Sequence, residues 1–283
     1  MKNLFLTIFS SFIFAFNLFG QTYLDVSYGK TPERDLKLDL YMPEDIKNPL
    51  MVVWVHGGAW REGSKEDPPK DLLKRGYALA SIDYRLSIEA PFPAMMHDIK
   101  AAIRFLRGNA QKYGFQKDKI IIWGSSAGGN LVVLAGLTND NEALEGTIGD
   151  YTDESSDINM VLDFYGPTNF KTILAQSTTH GVNVRKPALE LLYGKSLEVV
   201  DKETVELASP IFHVNSDSPP TFIAHGNQDN QVPINQSIEL WLKLKQAGVK
   251  TEFEILENMG HGGRDFSEKV FIDKVESFIT ENL

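Results

Sequence analysis

Short, almost uninterrupted apolar runs recur along this chain, and segments with helical periodicity separate several of them. The runs cover residues 50–55, 77–82, 120–123, 160–164, 222–224 and 253–256. A continuous apolar run of this length is typical of a strand that is covered on both faces. Strands that alternate with helices form a mainly parallel sheet with helices on both sides. The alternation therefore predicts an α/β fold with a mostly parallel central sheet.

Helical periodicity is clearest between the second and third runs, where apolar residues follow the i, i+3, i+4, i+7 spacing of one buried helix face. These residues are Ile99, Ala102, Ile103, Leu106 and Ala110. Further helices are predicted at 130–135, at 238–244 before Gly248, and at 270–279. At 36–40, Leu alternates with polar residues, which predicts a half-buried strand. No helix separates this strand from the next one, so we expect an antiparallel edge there.

The segment 168–208 does not fit the alternation. It contains two short helix-like pieces, including residues 188–192, and no strong strand. Ligand sites of α/β proteins form at the carboxyl edge of the sheet, and we predict that this segment is a lid insertion over that edge. An irregular structural excursion is the alternative. The chain has 283 residues without an internal repeat or a low-complexity linker, which favours a single domain over residues 21–283.

The first twenty residues differ from the rest of the chain. Lys2 carries a positive charge, and residues 4–19 are rich in Phe, Leu and Ile. A basic start, an apolar stretch shorter than the roughly 20 residues of a membrane span, and a small residue at Gly20 are typical of a secretory signal peptide. We therefore expect residues 1–20 to be a bacterial signal peptide, and the mature protein to be periplasmic or extracellular with no stable membrane span. Leu18 departs from the small residue expected near the cleavage point, and an uncleaved anchor is the alternative.

The composition excludes several classes of function. The formal net charge is −10, from 38 acidic and 28 basic residues. This balance argues against nucleic acid or an anionic membrane surface as the main partner. The chain has no cysteine, which excludes disulfides, thiolate zinc sites, iron–sulfur clusters and cysteine nucleophiles. A small-molecule or glycan ester remains compatible with both observations.

The sequence Gly-Ser-Ser-Ala-Gly at 124–128 matches the pattern Gly-x-Ser-x-Gly. It lies between a predicted strand and a predicted helix, which is the setting of the nucleophilic serine in α/β-hydrolases. The turn between them is sharp, and glycines on both sides remove side chains that would clash in it. The pattern therefore predicts that Ser126 is a nucleophile. A glycine-rich bend with a serine helix cap is the alternative.

A serine hydroxyl is a weak nucleophile at neutral pH and needs a base within hydrogen-bond reach. The chain has six histidines, and His261 follows the last predicted strand between glycines. In α/β-hydrolases the chain order is Ser, then Asp or Glu, then His, which selects His261 as the base. Asp229, on the loop after the strand at 222–224, is predicted as the acid that orients it, with Asp217 as a rival. Because the base must be neutral, activity should rise with pH near the ordinary imidazole pKa of about 6.5.

Negative charge develops on the substrate oxygen as the serine attacks, so preorganised N–H donors are required. One donor is expected from the residue after the nucleophile and another from an early glycine-rich loop. Ala127 fits the first position, and Gly57 and Gly58 fit the second. The alternative is that this loop only turns the chain after a buried strand.

Several motifs together resemble a bacterial esterase/lipase family. They are His56-Gly57-Gly58-Ala59-Trp60, Asp83-Tyr84-Arg85-Leu86, Gly124-Ser125-Ser126-Ala127-Gly128-Gly129, His225-Gly226-Asn227-Gln228-Asp229 and Gly260-His261. More narrowly, the chain resembles the carbohydrate-esterase and feruloyl-esterase-like (BD-FAE-like) branch. The narrower likeness rests on residues 60–63, the Ala90-Pro91-Phe92-Pro93 turn and Asp163-Phe164-Tyr165-Gly166-Pro167. The resemblance spans about residues 36–266.

The resemblance implies an α/β-hydrolase fold and a serine carboxylic-ester hydrolase that needs no cofactor or metal. It also implies small acyl groups, such as acetyl or feruloyl, on plant or algal glycans. Within the quoted motifs, Trp60 and Tyr165 are expected to line the substrate site. Asp83 and Arg85 are expected to support nearby loops, and Tyr84 is expected to form a wall.

The chain departs from this family at Ala59, where many members carry a third glycine. An alanine can still donate its backbone N–H to the oxyanion, provided that its φ is negative. The departure concerns which backbone groups bind the oxyanion, whereas the predicted activity does not depend on it.

Other functions compete with the ester hydrolase. Arylformamidases, which hydrolyse amides, carry a similar His-Gly-Gly-x-Trp turn, although the predicted export argues against a cytosolic role. A non-catalytic ligand-binding protein can reuse the same fold, but such proteins often lose the base or the acid. The absence of a long apolar stretch in segment 168–208 counts against a long-chain lipase.

Overall fold

The computed structural model describes residues 20–32, 34–139 and 141–283. The predicted signal peptide lies outside these residues, except for Gly20. Within them, eight strands form one sheet. The strands are β1 (Thr22–Lys30), β2 (Asp35–Tyr41), β3 (Met51–Val55), β4 (Ala78–Ile82), β5 (Ile120–Ser125), β6 (Met160–Phe164), β7 (Thr221–Gly226) and β8 (Thr251–Leu256).

The strand order across the sheet is β1-β2-β4-β3-β5-β6-β7-β8. All pairings among β3 to β8 are parallel, whereas β1 with β2 and β2 with β4 are antiparallel. The predicted α/β fold with a mostly parallel sheet is therefore confirmed, as is its antiparallel edge. At that edge β2 pairs with β4 and not with β3, its next neighbour in sequence.

Eight helices accompany the sheet in the part of the chain that the structure describes. They are α1 (Ala94–Tyr113), α2 (Ala127–Leu137), α3 (Glu142–Glu145), α4 (Ile173–Gln176), α5 (Thr179–Tyr193), α6 (Lys202–Leu207), α7 (Asn235–Gln246) and α8 (Lys269–Asn282). Single 3-10 turns lie at Leu73–Arg75, Leu197–Val199, Pro210–His213 and Arg264–Ser267. The predicted helices are confirmed as parts of α1, α2, α7 and α8. Among these described helices, none has the length and apolarity that crossing a bilayer requires.

Both faces of the sheet are covered by helices. In β5, Ile120 and Ile122 pack with buried side chains of α1 and α2. Ile121 and Trp123 point to the other face and pack with buried side chains of α8. Each such side chain contributes about 1.5–3 kcal/mol by leaving water. This burial on both sides explains why the strand runs are continuously apolar.

The predicted lid, residues 168–208, is helical over much of its length. Its main helix, α5, starts after Thr178, whose side chain accepts the N–H of Gly181 at 3.1 Å. The helix ends at Gly194, which has a φ of 64°. It is longer than the predicted piece at 188–192. Pro187 lies inside the helix, whereas a proline in a sequence usually indicates a helix boundary. The division into one domain with a lid stays a prediction.

A buried amide of α7 holds the first residues of this segment. Oε1 of Gln236 accepts the N–H groups of Thr168 and Asn169 at 2.9 and 2.8 Å. The hydroxyl of Thr168 donates to the carbonyl of Gln236 at 2.6 Å, and Nε2 of Gln236 donates to Gln176 of α4 at 2.7 Å. Gln236 and Thr168 are fully buried. The position of this segment therefore depends on hydrogen bonds between buried groups.

Candidate active site

The turn between β5 and α2 presents Ser126. This residue has φ 55° and ψ −121°, a conformation that is strained for any residue other than glycine. Its N–H donates to the carbonyl of Phe164 at 2.9 Å, which holds the turn. A Cβ on Gly124 would lie 2.5 Å from the carbonyl oxygen of Gly128, and a Cβ on Gly128 would lie 2.1 Å from that of Val55. Both glycines of the motif are therefore required by close backbone approach.

The structure brings Ser126, His261 and Asp229 into one line of hydrogen bonds. Nε2 of His261 lies 2.8 Å from Oγ of Ser126, and its Nδ1 lies 2.6 Å from Oδ2 of Asp229. The other carboxylate oxygen, Oδ1, accepts the N–H groups of Gln231 and Val232 at 2.8 and 2.9 Å. Because Nδ1 faces a carboxylate, it carries the ring proton, and Nε2 is left to accept from the serine hydroxyl. This is the arrangement that nucleophilic catalysis by serine requires.

A second histidine contacts the same carboxylate. His225 is fully buried at the end of β7, and its Nε2 lies 3.2 Å from Oδ2 of Asp229 and 3.0 Å from the carbonyl of Val232. Its Nδ1 lies 2.7 Å from the hydroxyl of Ser237. Nε2 faces two oxygen acceptors and so carries the proton. Burial alone would raise the pKa of Asp229, but hydrogen bonds from His225 and His261 outweigh it and hold that pKa well below its usual range.

The glycine-rich loop after β3 runs beside the nucleophile. A Cβ on Gly57 would lie 2.9 Å from the carbonyl oxygen of Ser125. Within the described part of the chain, the N–H groups of Gly57, Gly58 and Ala127 have no backbone acceptor, and Ala127 is the first residue of α2, where none is expected. Ala59 has a φ of 50°, so the condition for it to serve as a donor is not met. Gly57, Gly58 and Ala127 stay the predicted donors.

Tyr84 lies behind this loop. Its ring stacks on His56, with ring centroids 4.4 Å apart, and its hydroxyl donates to the carbonyl of His56 at 3.0 Å. Tyr84 is buried, and the structure does not bring it to the pocket as a wall. The supporting roles expected of its neighbours fit their contacts: Arg85 pairs with Asp98 of α1 at 2.7 Å, and Asp83 accepts a backbone N–H at 2.7 Å.

A pocket of about 320 Å³ opens over the nucleophile. The ring of Tyr165 lies on its wall, 4.9 Å from the ring of His261. Trp60, the other residue expected to line the substrate site, is fully buried, and its indole N–H donates to Asn130 at 3.2 Å. The structure thus places Trp60 beneath the loop and away from the pocket. The pocket is lined by Gly57, Gly58, Ala59, Arg61, Glu62, Ser125, Ser126, Tyr165, Val184, Arg185, Gln231 and His261.

A larger cleft of about 910 Å³ lies at the far end of α2 and contains none of the three aligned residues. Asp217, the rival acid, and His213 line this cleft. The structure therefore does not bring Asp217 to His261. Among the described residues, His, Asp and Glu side chains do not gather into a group of three that could hold a metal ion.

Several residues at the site were not assigned to it from the sequence, and two of them, His225 and Arg185, are buried. His225 stands four positions before Asp229, at the end of a strand. This spacing was the sequence feature that could have indicated its contact with the acid. Arg185 lies on the buried side of α5 and lines the pocket. Its signal would have been an arginine at helical spacing from apolar residues, but Pro187 concealed the helix.

Comparison with known proteins gives this geometry a context. Esterase LipQ of Mycobacterium tuberculosis is 31% identical over 250 residues, which are 84% of this chain and 56% of that protein. The chain spans about half the length of the curated relatives it matches, from 49% to 59% of the first three. A truncated form of a carbohydrate esterase from gut microbiota is 30% identical with a TM-score of 0.82, covering 95% of this chain and 98% of that chain. A bifunctional GH43-CE protein of Bacteroides eggerthii is 32% identical with a TM-score of 0.82, covering 93% of this chain and 35% of that chain.

The fold is that of an α/β-hydrolase, and these relatives include proteins named esterases. The model of the BD-FAE family matches residues 38–244, which is well over half of the chain. The chain therefore belongs to the BD-FAE family. The resemblance inferred from the motifs is thereby confirmed.

Proposed function

We propose that this protein is a serine carboxylic-ester hydrolase that removes short acyl groups, acetyl or feruloyl, from carbohydrate. The observation that carries the proposal is the line from Ser126 Oγ through His261 to Asp229, with separations of 2.8 and 2.6 Å. The line opens into the pocket at the carboxyl edge of the sheet, where α/β enzymes bind their substrates. The named relatives, which are esterases, support the same chemistry.

The reaction follows from the proton positions. Nε2 of His261 takes the hydroxyl proton as Oγ of Ser126 attacks the ester carbon, and a tetrahedral intermediate forms. Its oxyanion is stabilised by N–H groups of Gly57, Gly58 and Ala127. The imidazolium then gives its proton to the departing alcohol, which leaves an acyl-enzyme. Water, activated by the same base, attacks the acyl-enzyme and releases the acid.

Asp229 stabilises the charged stage of each half-reaction. Its pKa is well below the usual range, so the carboxylate stays ionised at neutral pH. An ionised carboxylate 2.6 Å from Nδ1 of His261 holds the reactive tautomer and stabilises the imidazolium. The backbone N–H groups on its other oxygen hold the carboxylate in place.

The pocket supports a small acyl group and a polar alcohol. Its volume of about 320 Å³ is at the lower end for small-molecule sites. Arg61, Glu62, Arg185 and Gln231 form much of its polar wall. A long alkyl chain would leave these groups without water or hydrogen-bond partners, which is costly. Carbohydrate as the alcohol is supported by a structural relative that is named a carbohydrate esterase.

Hydrolysis of para-nitrophenyl acetate, butyrate and octanoate and of methyl ferulate tests the proposal, with Ser126→Ala alongside. We expect turnover of acetate or ferulate that the variant loses, and a rate that falls from acetate to octanoate. A rate that is highest for octanoate would contradict the removal of short acyl groups and would indicate a lipase instead. Equal background rates in both proteins would refute the esterase, and N-formylkynurenine hydrolysis would then test for an amide hydrolase.

We extend the proposal to location and infer that the protein is exported. The support is the basic and apolar character of residues 1–20. Expression of the full chain in a bacterial host, followed by fractionation and intact-mass measurement, tests this inference. A periplasmic or secreted product that begins near Gln21 is expected. A full-length product in the membrane fraction would instead indicate an uncleaved anchor.

A further inference from the structure

Helix α5 of the lid places Arg185 at the pocket. The side chain lines the same cavity as Ser126 and His261, yet the residue is only 1% exposed. Among the residues that the structure describes, Nε and Nη1 of its guanidinium have no hydrogen-bond partner. A buried cation with unfilled donors is therefore part of the pocket that also contains Ser126 and His261.

This arrangement costs folding free energy. Burying a charged group without a paired charge or hydrogen bonds is strongly unfavourable. Burial lowers the pKa of Arg185 to about 10, with the field of Asp229 opposing this shift and that of Arg61 adding to it. The guanidinium thus stays charged at neutral pH. This cost falls on a residue in the part of the pocket wall that α5 contributes.

The neighbouring groups do not satisfy these donors. Asp229 attracts the cation through its field, but its oxygens are engaged by two histidines and two backbone N–H groups. The ring of Trp60 lies 6.0 Å from the guanidinium carbon. A cation over a ring is attracted to the ring face, which leaves the in-plane N–H groups unfilled.

We propose that Arg185 binds a carboxylate of the ester substrate, so the preferred substrates carry a carboxylate close to the scissile ester. The inference rests on the proposed esterase function and narrows its substrate class. A planar guanidinium matches a carboxylate with two parallel hydrogen bonds. Arg61 and Glu62 also line the pocket and carry opposite charges, so Arg185 supplies the excess positive charge of its wall. An acylated glycan with uronic acid residues has this chemistry on the alcohol side, and a dicarboxylic half-ester has it on the acyl side.

Paired substrates test the proposal with the wild-type protein. For the alcohol side, the ortho, meta and para acetoxybenzoates are compared with their acetoxybenzamides. For the acyl side, para-nitrophenyl half-esters of succinate and glutarate are compared with the corresponding half-amides. We expect kcat/KM to favour at least one carboxylate over its amide by roughly 10- to 100-fold, the range for a hydrogen bond to a charged group. The side on which the preference appears locates the carboxylate, and no preference in any pair overturns the proposal.

Variants assign the preference to the residue. Arg185→Gln should reduce the carboxylate-to-amide ratio toward one, and Arg185→Lys should keep part of it, because lysine keeps the charge but not the planar pair of donors. Lys186→Gln is the matched control, since it removes a positive charge from the exposed side of α5. The ratio compares two substrates on one protein, so a smaller folded fraction cancels. A ratio that is unchanged in Arg185→Gln, or that is lost in Arg61→Gln instead, contradicts the assignment.

A binding measurement separates this proposal from the esterase itself. Calorimetric titration with glutarate and para-hydroxybenzoate is made on wild type and Arg185→Gln. Carboxylate binding that the variant loses supports the anion site even if no ester is hydrolysed. Conversely, hydrolysis of neutral esters that Ser126→Ala loses supports the esterase even if neither carboxylate binds, and the Arg185 proposal then fails alone.

Discussion

The two walls of the pocket are built differently. On the sheet side, Ser126, His261 and Asp229 have their side-chain polar atoms in hydrogen bonds with each other or with the backbone. On the lid side, Arg185 keeps guanidinium nitrogens without a partner among the described residues. A catalytic group works best when it is oriented before the substrate arrives, whereas a binding group needs free donors. We therefore expect changes on the sheet side to affect every ester, and changes on the lid side to affect the choice of ester.

Asp229→Asn should give the largest effect. The asparagine oxygen can still accept the backbone N–H groups of Gln231 and Val232, but a neutral amide neither stabilises the imidazolium nor holds the reactive tautomer of His261. In other Ser-His-Asp enzymes this exchange lowers kcat by about 10,000-fold. Turnover of para-nitrophenyl acetate measures the loss, and circular dichroism checks the fold. Asp217→Asn, on an exposed residue of the other cleft, is the control, and an equal loss in both variants would refute the assignment of the acid.

Gln236→Ala tests whether the lid depends on its buried anchor. The change leaves the N–H groups of Thr168 and Asn169 without their acceptor, which should lower the free energy of unfolding by about 2 to 3 kcal/mol. Hydrogen exchange should speed up in α4 and α5 more than in β5. Asn235→Ala, at the exposed start of α7, should change neither quantity. Uniformly faster exchange across the sheet would show that Gln236 stabilises the whole fold and not the lid in particular.

The residues on the sheet side of the site could be predicted from the sequence, because the order of Ser, Asp and His along the chain identifies them. Ser126, Asp229 and His261 each follow a predicted strand. Parallel strands bring their carboxyl ends to one edge, so residues far apart in sequence meet there. Arg185 could not be found in this way. Pro187 interrupts the helical pattern, and without α5 nothing in the sequence indicates that an arginine lies on a buried helix face.

Trp60 shows a second limit of sequence reasoning. The family resemblance implied that Trp60 lines the substrate site. In the structure, Ala59 and Trp60 have φ values of 50° and 59°, and the indole lies under the loop against Asn130. Left-handed conformations of residues other than glycine are imposed by surrounding packing, and a local sequence pattern does not encode them.

Asp163 is a carboxylate on the sheet that, unlike Asp229, has an oxygen without a hydrogen-bond partner among the described residues. It is fully buried on β6, where Oδ1 accepts the N–H of Gly166 at 3.0 Å and Oδ2 has no partner among the described residues. Burial raises its pKa to about 7, although the Gly166 N–H and His225 oppose the shift. The folded protein thus holds this proton more tightly than the unfolded chain. The stability it contributes is therefore complete below about pH 4 and is lost as the pH rises to about 7.

Asp163→Asn should remove this pH dependence. Relative to wild type, the variant should gain roughly 1 to 3 kcal/mol in the free energy of unfolding between about pH 5 and pH 8. Urea unfolding at both pH values measures the gain, and exposed Asp217→Asn should show none. A difference between wild type and Asp163→Asn that stays constant with pH would mean that this carboxyl is already ionised in the folded protein at pH 5.

His225→Leu should have the smallest effect, and it tests how far preorganisation extends behind the catalytic line. The histidine does not line the pocket, but its Nε2 lies 3.2 Å from Oδ2 of Asp229. Loss of one hydrogen bond to a charged group should lower kcat about tenfold, with little change in KM for para-nitrophenyl acetate. The carboxylate, with one donor fewer, should attract the imidazolium of His261 more strongly. The acidic limb of the pH–rate profile should therefore move to higher pH.

This shift distinguishes a positioning residue from a merely structural one. His213→Leu is the matched control, because His213 is partly buried but bonds to the carbonyl of Leu207, at 3.0 Å, in the other cleft. Its pH–rate profile should match that of wild type. If His225→Leu lost activity only in proportion to its folded fraction, with the acidic limb unmoved, His225 would serve the packing of β7 alone. The preorganised part of the site would then end at Asp229, and its backbone donors would suffice to hold the carboxylate in place.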